Sequence, residues 1–227
     1  MKRDQTDRVL WQGGGVPVSE RFDDPYYSLE NGLAETGHVF LAGNGLPDRF
    51  APGFHIAELG FGTGLNLIAA WSAWRAACIS GPLRFTSFEA FPMPPEDAIR
   101  ALSAFPETAP HADDIAAALS DPGKPLIRPD LEFRLLTGDA RQTLPNWPDK
   151  ADAWFLDGFS PARNPELWQP DLMAAVGAHT RPGGTFATYT AAGHVRRALE
   201  AAGFDVTRAP GYGRKRHMSL GRLRHGQ

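Results

Sequence analysis

The stretch FHIAELGFGTGLN, residues 54–66, decides the fold of this chain. It opens with a short apolar run over residues 54–59, which is typical of a strand buried on both faces. Glycines then alternate with Phe61 and Thr63, and glycine there permits a tight turn and the close approach of a ligand to the backbone. The stretch therefore predicts a buried strand, a ligand-facing turn and the start of a helix.

Strands and helices alternate along the rest of the chain. The pattern predicts further strands over 83–88, 131–137, 153–156, 185–189, 204–207 and 217–223. It predicts helices from residue 67 to the Gly81-Pro82 stop and over 98–102, 115–119, 172–179 and 194–202. Such alternation predicts a Rossmann-like α/β fold, a doubly wound and mostly parallel sheet of seven strands with helices on both faces.

The first 50 residues lack this regularity. We expect residues 1–50 to form an N-terminal arm packed on a main domain over 51–227. Within the arm, residues 1–15 are interpreted as a loose lead-in and residues 39–41 as a short strand. In the main domain, residues 181–184 are predicted to form a turn.

Composition narrows the class of protein. The 227 residues are 42% hydrophobic, with 14 Phe and 6 Trp, which suits one sizeable core. The N-terminus lacks the apolar stretch of a signal peptide and no apolar run suits a membrane span, so we expect a cytoplasmic chain. Cys78 is the single cysteine, which excludes an intramolecular disulfide. It falls on the first predicted helix, where we expect a buried thiol that packs against the core. The histidines are isolated, so no metal is expected.

Charge is unevenly distributed. Residues 194–227 contain eight Lys or Arg against two acidic residues, a net charge of +6, whereas the rest of the chain carries −9. The centre of this basic region is Arg214-Lys215-Arg216, which suits either a solvated loop or a clamp for nucleic-acid phosphates.

The spacing of the glycine turn separates two kinds of cofactor. A dinucleotide site needs G-x-G-x-x-G, and this chain has Leu65 where that pattern expects its third glycine. The pattern E-x-G-x-G-x-G over 58–64 resembles instead the cofactor loop of Rossmann-like methyltransferases. Tight packing of a strand on a helix also accounts for such glycines.

Acidic residues end the predicted strands at the edge where open α/β sheets bind ligands. Glu89 is placed to accept both ribose hydroxyls, Asp139 with Ala140 to contact an adenine amino group, and Asp157 to lie beside a transferred methyl group. Each carboxylate also suits the cap of the next helix. The residues after Asp157, over 158–161, resemble the motif of enzymes that methylate amino groups, where a carboxylate orients the amine and accepts its proton.

Six sequence blocks carry a more specific resemblance, at residues 22–28, 30–33, 39–41, 58–66, 153–165 and 211–218. Together they resemble the 5-methylaminomethyl-2-thiouridine tRNA methyltransferases, the methyltransferase module of bifunctional MnmC. The resemblance extends from about residue 16 to residue 223. The blocks AWFLDGFSPARNP and GYGRKRHM are the most distinctive.

This resemblance implies methyl transfer from S-adenosylmethionine to the exocyclic amine of 5-aminomethyl-(2-thio)uridine at the tRNA wobble position. Asp157 is then the candidate catalytic base. The cofactor-binding candidates are Glu58, Gly60, Gly62, Gly64, Asn66, Glu89, Asp139, Ala140, Asp157 and Phe159. The substrate-binding candidates are Tyr27, Arg163, Asn164, Arg214, Lys215 and Arg216.

The resemblance also sets expectations about partners. The anticodon stem-loop of tRNA is the expected partner, and Tyr26, Tyr27 and Phe159 suit either base stacking or the core. We expect a standalone, monomeric methyltransferase without FAD, whose substrate is made by a separate oxidoreductase. Two alternatives stay open: a small-molecule N-methyltransferase, which has no need of the basic tail, and a non-catalytic RNA-binding module.

Overall fold

The structure is a computed structural model that describes residues 6–13, 15–27 and 31–224. Residues 1–5 and Gly14 of the predicted lead-in, and Ser28 and Glu30 of the family blocks, lie outside the described residues. The strands are β1 (Val9–Gln12), β2 (Val16–Ser19), β3 (Asp24–Pro25), β4 (His55–Leu59), β5 (Leu83–Glu89), β6 (Leu126–Arg128), β7 (Leu131–Thr137), β8 (Ala151–Leu156), β9 (Thr180–Thr188), β10 (Phe204–Pro210) and β11 (His217–Leu223).

Helices separate most of the strands. They are α1 (Gly32–Thr36), α2 (Leu65–Ala76), α3 (Pro95–Leu102), α4 (Ala112–Ser120), α5 (Ala140–Thr143), α6 (Pro170–Ala178) and α7 (Gly193–Ala201). None of the helices in the described ranges combines the length and apolar character needed to cross a membrane.

The main sheet has eight strands in the order β10-β11-β9-β8-β4-β5-β7-β6. The central strands from β9 to β7 pair in parallel, whereas β11 and β6 pair antiparallel to their neighbours. All predicted strands of the main domain are present, so the doubly wound, mostly parallel sheet is confirmed. The predicted number, seven, was wrong by one. The extra strand, β6, lies at an edge with only Leu126 buried, and such a short strand gives no periodic signal.

Each face of the sheet carries its own hydrophobic core. One core packs the sheet against α2, α3 and α4, and the other packs it against α6 and α7. Neighbouring residues of β8 illustrate the division, since Phe155 belongs to the first core and Trp154 to the second. Side chains alternate across a strand, so a fully apolar strand supplies both layers.

The N-terminal residues differ from two predictions. Residues 39–41 are helical, in a π-helical turn that continues α1 over Gly37–Leu41, because burial of Val39 and Phe40 in this segment outweighs their preference for strands. Phe40 packs on Phe155 with ring centroids 5.4 Å apart. The lead-in contains β1, which pairs with β2 in an antiparallel hairpin of a separate three-stranded sheet.

Two further predictions were wrong in the main domain. Cys78 is exposed, because α2 ends at Ala76 and Cys78 adopts a left-handed conformation with φ of 53°. Residues 181–184 are not a separate turn but part of β9, which is irregular there and shifts its register against β8 between Ala151 and Ala153. The division of the chain at residue 50 stays a prediction.

Candidate active site

A cavity of about 720 Å³ lies at the carboxyl edge of the parallel strands. Gly60 follows β4, Glu89 ends β5, Asp139 follows β7 and Asp157 follows β8, and all of them line this cavity. Parallel strands bring their carboxyl ends to one edge of the sheet, which is where open α/β folds bind ligands. The predicted strand ends therefore meet at one site.

The glycine loop closes the bottom of the cavity. Gly60, Gly62 and Gly64 have φ values of 89°, 55° and 82°, in the region that favours glycine. A Cβ atom on Gly60 would lie 2.5 Å from the backbone oxygen of Asp157. Glycine is therefore required for the β4 loop to lie against the end of β8. Gly60 and Gly62 line the cavity, whereas Gly64 lies outside it and caps the start of α2.

Glu89 joins the glycine loop to the end of β5. Its Oε2 accepts hydrogen bonds from the backbone amides of Phe61, at 2.9 Å, and Gly62, at 3.3 Å, and its Oε1 accepts one from Phe91 at 2.9 Å. Burial raises the pKa of the Glu89 carboxyl, and the amide hydrogen bonds oppose that rise. The carboxylate thus holds the loop in place while it forms part of the cavity wall.

Beneath the cavity floor, Glu58 anchors a chain of hydrogen bonds. Glu58 is fully buried and accepts hydrogen bonds from Asn66 Nδ2 at 2.9 Å and Ser87 Oγ at 2.6 Å. Burial raises the pKa of the Glu58 carboxyl well above its ordinary value. Glu58 does not line the cavity itself, and its contact with a cofactor stays a prediction.

Asn66 connects Glu58 to Asp157 by hydrogen bonds. Its Nδ2 donates to Asp157 Oδ2 at 2.6 Å, and its Oδ1 accepts a hydrogen bond from Thr36 Oγ1 at 2.8 Å. With both ends of the amide engaged, the Asn66 side chain has one orientation. The Asp157 carboxylate is therefore fixed toward the cavity by a buried network.

Asp157 has a strongly altered acidity. Removal from water raises the pKa of its carboxyl to about 7, and the negative charge of Glu35 raises it as well. The hydrogen bond from Asn66 and the positive charge of Lys215 act in the opposite direction. A carboxyl with a pKa near neutrality suits a general base because it binds a proton firmly yet is ionised near pH 7.

The other predicted cofactor residues lie around the same cavity. Asp139 caps α5 by accepting from the Arg141 amide at 2.9 Å, and ion pairing with the Arg141 side chain lowers the pKa of Asp139. The helix-capping alternative therefore applies to Asp139. Ala140 and Phe159 also line the cavity, where the Phe159 ring stacks on Phe22 at 4.8 Å.

Four of the six predicted substrate-binding residues line the cavity, and two do not. Tyr27, Asn164, Arg214 and Lys215 line the cavity, whereas Arg163 and Arg216 do not. Arg163 forms an ion pair with Asp23 at 2.9 Å, and Arg216 is exposed. Lys215 turns inward and pairs with Glu35.

Sequence patterns missed several cavity residues, including Glu35, Thr36 and Tyr189. Glu35 comes just after one of the family blocks, but nothing in its local pattern marks it as a site residue. Asp24 is another cavity residue that the sequence patterns missed, although it lies inside one of the family blocks. Its carboxylate accepts a hydrogen bond from the Ser160 amide at 2.7 Å. Within the described ranges, no group of three His, Cys, Asp or Glu side chains is arranged to hold a metal ion.

Comparisons with known proteins show which family the chain belongs to. A family model described as S-adenosyl-L-methionine-dependent methyltransferase matches residues 123–224. The bifunctional protein MnmC of Chromobacterium violaceum, named for tRNA 5-methylaminomethyl-2-thiouridine biosynthesis, is 44% identical over 94% of this chain and 34% of its own length. The protein of that name from Chromohalobacter salexigens is 44% identical over 92% of this chain and 31% of its own length.

A solved structure extends the likeness to the fold. The crystal structure of MNMC2 from Aquifex aeolicus is 25% identical, covers 99% of this chain and 73% of its own, and has a TM-score of 0.73. This chain spans about a third of the length of the curated relatives it matches. The sequence and fold together place it with one part of those longer proteins: the chain belongs to the S-adenosyl-L-methionine-dependent methyltransferases, in the family of the MnmC methyltransferase module.

Proposed function

We propose that this protein transfers a methyl group from S-adenosylmethionine to the exocyclic amine of 5-aminomethyl-(2-thio)uridine at the tRNA wobble position, giving 5-methylaminomethyl-(2-thio)uridine. The observation that carries the proposal is the Asp157 carboxyl, fixed at the cavity wall with a pKa of about 7. The names of the MnmC relatives support the choice of substrate.

The cavity fits the cofactor of this family. Its volume, about 720 Å³, lies in the range of small-molecule sites, and the glycine loop leaves the backbone open to a ligand. Gly60 and Gly62 are proposed to face the amino acid part, Glu89 the ribose and Asp139 the adenine. When bound, S-adenosylmethionine supplies an electrophilic methyl group, whose bond to sulfur breaks, with both electrons remaining on sulfur, as the amine nitrogen bonds to carbon.

Asp157 supplies the acid–base chemistry in this proposal. An aliphatic amine near neutral pH is mainly an ammonium ion, which has no lone pair to attack a methyl group. The ionised Asp157 carboxylate accepts one proton from that ammonium and so frees the lone pair. Because Asn66 fixes the carboxylate, the amine is oriented at the same time.

The rate should therefore depend on pH. We expect kcat/KM to increase with pH below about 7 and to level off above it, because the fraction of ionised Asp157 follows its raised pKa. The measurement is kcat/KM for methyl transfer between pH 5 and 9 at constant ionic strength. A kcat/KM that does not change between pH 5 and 9, as expected for a base with the ordinary aspartate pKa of 3.8, would contradict the assignment of Asp157 as the base.

The basic C-terminal region suits a polyanionic substrate. Arg214 lines the cavity, its near neighbour Arg216 is exposed, and the net charge over 194–227 is +6. Phosphate contacts dominate the affinity of proteins for nucleic acids. The arrangement favours tRNA over a small amine as the acceptor.

Charge reversal tests this contact. We expect Arg214→Glu combined with Arg216→Glu to weaken tRNA binding by about tenfold or more and to reduce the salt dependence of binding by roughly one unit for each phosphate that the variant no longer binds. The measurement is the affinity for tRNA across a salt series. Affinity for S-adenosylmethionine serves as the control. The matched variant combines Arg128→Glu and Arg134→Glu, at exposed positions on β6 and β7 outside the cavity. Unchanged tRNA binding would favour the small-molecule N-methyltransferase.

The direct test uses labelled S-adenosylmethionine with two tRNAs, one bearing 5-aminomethyl-2-thiouridine and one lacking the aminomethyl group. We expect label in the first tRNA alone. If the protein binds the cofactor but labels neither tRNA, the tRNA assignment fails and small amines become the candidates. If it binds tRNA without binding the cofactor, the non-catalytic RNA-binding module is the better description.

The proposal also includes the source of the aminomethyl group, the compartment and the oligomeric state. The aminomethyl group is supplied by a separate oxidoreductase, and methylation takes place in the cytoplasm on a monomeric enzyme. Co-purification with the oxidoreductase and sedimentation of the protein with and without tRNA test these statements. A stable dimer in sedimentation would contradict the last of them.

A further inference from the structure

The side chain of Lys215 enters the cavity from the basic segment. Its Nζ lies 2.8 Å from Glu35 Oε1 and 4.0 Å from the centre of the Tyr189 ring. A lysine ends in a primary alkylammonium group. This is the same chemical group that an aminomethyl substrate presents when it is protonated.

Glu35 and Tyr189 form a cradle suited to such a group. The Glu35 side chain is only 10% exposed, and a carboxylate this far from water needs a cationic partner. The Tyr189 hydroxyl donates to the Gly158 oxygen at 2.7 Å, which fixes its ring, and the face of that ring attracts a cation. The cradle therefore combines a buried negative charge with an aromatic face.

The cradle lies beside the candidate base. Tyr189 is held by the residue that follows Asp157. Thr36, the neighbour of Glu35 on α1, donates to Asn66, which in turn donates to Asp157. An ammonium held by Glu35 would therefore be bound close to the carboxylate that is to deprotonate it.

We propose that Glu35 and the ring face of Tyr189 form the subsite that receives the ammonium form of the acceptor, and that Lys215 occupies this subsite until the substrate displaces it. The inference rests on the proposed function in that the acceptor is an amine. Exchange of one ammonium for another leaves no unpaired charge on Glu35. The displaced Lys215 rejoins Arg214 and Arg216, where tRNA phosphates are expected.

A simpler role for Lys215 makes different predictions. If its ammonium is a permanent part of the site, it acts only through its positive charge, which lowers the pKa of Asp157. The wild type would then bind no free ammonium ion at Glu35 at any concentration, although removal of Lys215 would move the pH–rate profile upward. A displaceable Lys215 yields the subsite, so the wild type binds small ammonium ions there, but more weakly than a variant without Lys215.

Ethylammonium is the probe that separates the two roles. We expect Lys215→Met to bind ethylammonium about tenfold more tightly than the wild type, as it would if Lys215 fills the subsite about nine-tenths of the time. Binding is followed by saturation-transfer NMR at constant ionic strength. Adding Glu35→Gln to Lys215→Met should abolish the gain. Lys124→Met, the same change at an exposed position outside the cavity, should behave as the wild type.

Each other outcome overturns the inference. Equal ethylammonium affinity in Lys215→Met and the wild type means that Lys215 does not compete for the subsite. A wild type that binds no ethylammonium, beside a Lys215→Met that does, means that Lys215 is a permanent part of the site. Equal affinity in Lys215→Met with and without Glu35→Gln means that Glu35 is not the receptor. Cofactor affinity checks the fold of every variant, and Lys215→Gln replaces Lys215→Met if that variant is unstable. Ethylammonium binding needs no tRNA. If the protein binds ethylammonium as expected but does not methylate tRNA, the proposed tRNA substrate is contradicted and the ammonium subsite is not.

Discussion

Asp157→Asn is expected to lower the rate of methyl transfer by about 10²- to 10⁴-fold, the usual contribution of a positioned general base. Asparagine has the size of aspartate and retains an oxygen that accepts the hydrogen bond from Asn66 Nδ2, but it cannot accept the proton of an ammonium group. The measurement is single-turnover methyl transfer to aminomethylated tRNA at saturating S-adenosylmethionine. A rate within about threefold of the wild type would remove Asp157 from the mechanism, since a base contributes at least about 10²-fold.

Stability supplies the control for that variant. Because folding raises the Asp157 pKa to about 7, the folded protein favours the protonated carboxyl. The stability that this preference contributes is fully present below the unfolded pKa and is lost as the pH rises through about 7. Asparagine does not ionise and escapes this loss. We therefore expect the free energy of unfolding of Asp157→Asn, relative to the wild type, to increase between pH 5 and pH 8. Urea denaturation at both pH values measures it, and a less stable variant at pH 8 would show that lost activity reflects damage to the fold.

Gly60→Ala is expected to abolish measurable cofactor binding or to reduce it by at least an order of magnitude. The new methyl group would lie 2.5 Å from the Asp157 backbone oxygen, so the β4 loop and the end of β8 would have to separate. The positive φ of 89° adds about 1–2 kcal/mol of backbone strain for an alanine, and overpacking adds about 1–3 kcal/mol. Calorimetric titration with S-adenosylmethionine and urea denaturation measure both effects.

Gly53→Ala is the matched control for this clash. Gly53 also has a positive φ, 78°, but an added Cβ meets no heavy atom within 4 Å. It therefore incurs the backbone strain without the overpacking, at a position outside the cavity. We expect a modest loss of stability and normal cofactor affinity. If Gly53→Ala weakens cofactor binding as much as Gly60→Ala does, the close approach of the Gly60 loop to β8 is not what the site requires.

Local sequence signals were sufficient for most of the main domain. Apolar runs bounded by turn residues identified β4, β5, β7 and β8, and the glycine loop identified the edge of the sheet where the cavity lies. The predicted strand ends placed Glu89, Asp139 and Asp157 at one cavity because parallel strands share an edge. Their contacts with a cofactor stay predictions.

The errors have a common cause. Residues 39–41 have the composition of a strand, yet they fold as part of a helical segment because Val39 and Phe40 are buried together against the sheet. Residues 181–184 have the composition of a turn, yet they lie within β9, which pairs with β8 on either side of them. In each case the outcome depended on the neighbours that the fold supplies, which a local pattern does not contain.

The sequence by itself determined the order of strands and helices, the glycine turn and the carboxylate that ends each strand, because these depend on backbone geometry and on periodicity over a few residues. Only the tertiary structure decided which side chains share the cavity. Glu35 and Lys215 are 180 residues apart and meet because α1 and the segment after β10 pack at the same sheet edge. The raised pKa of Asp157 likewise arises from burial by distant segments, and no stretch of the sequence specifies that burial on its own.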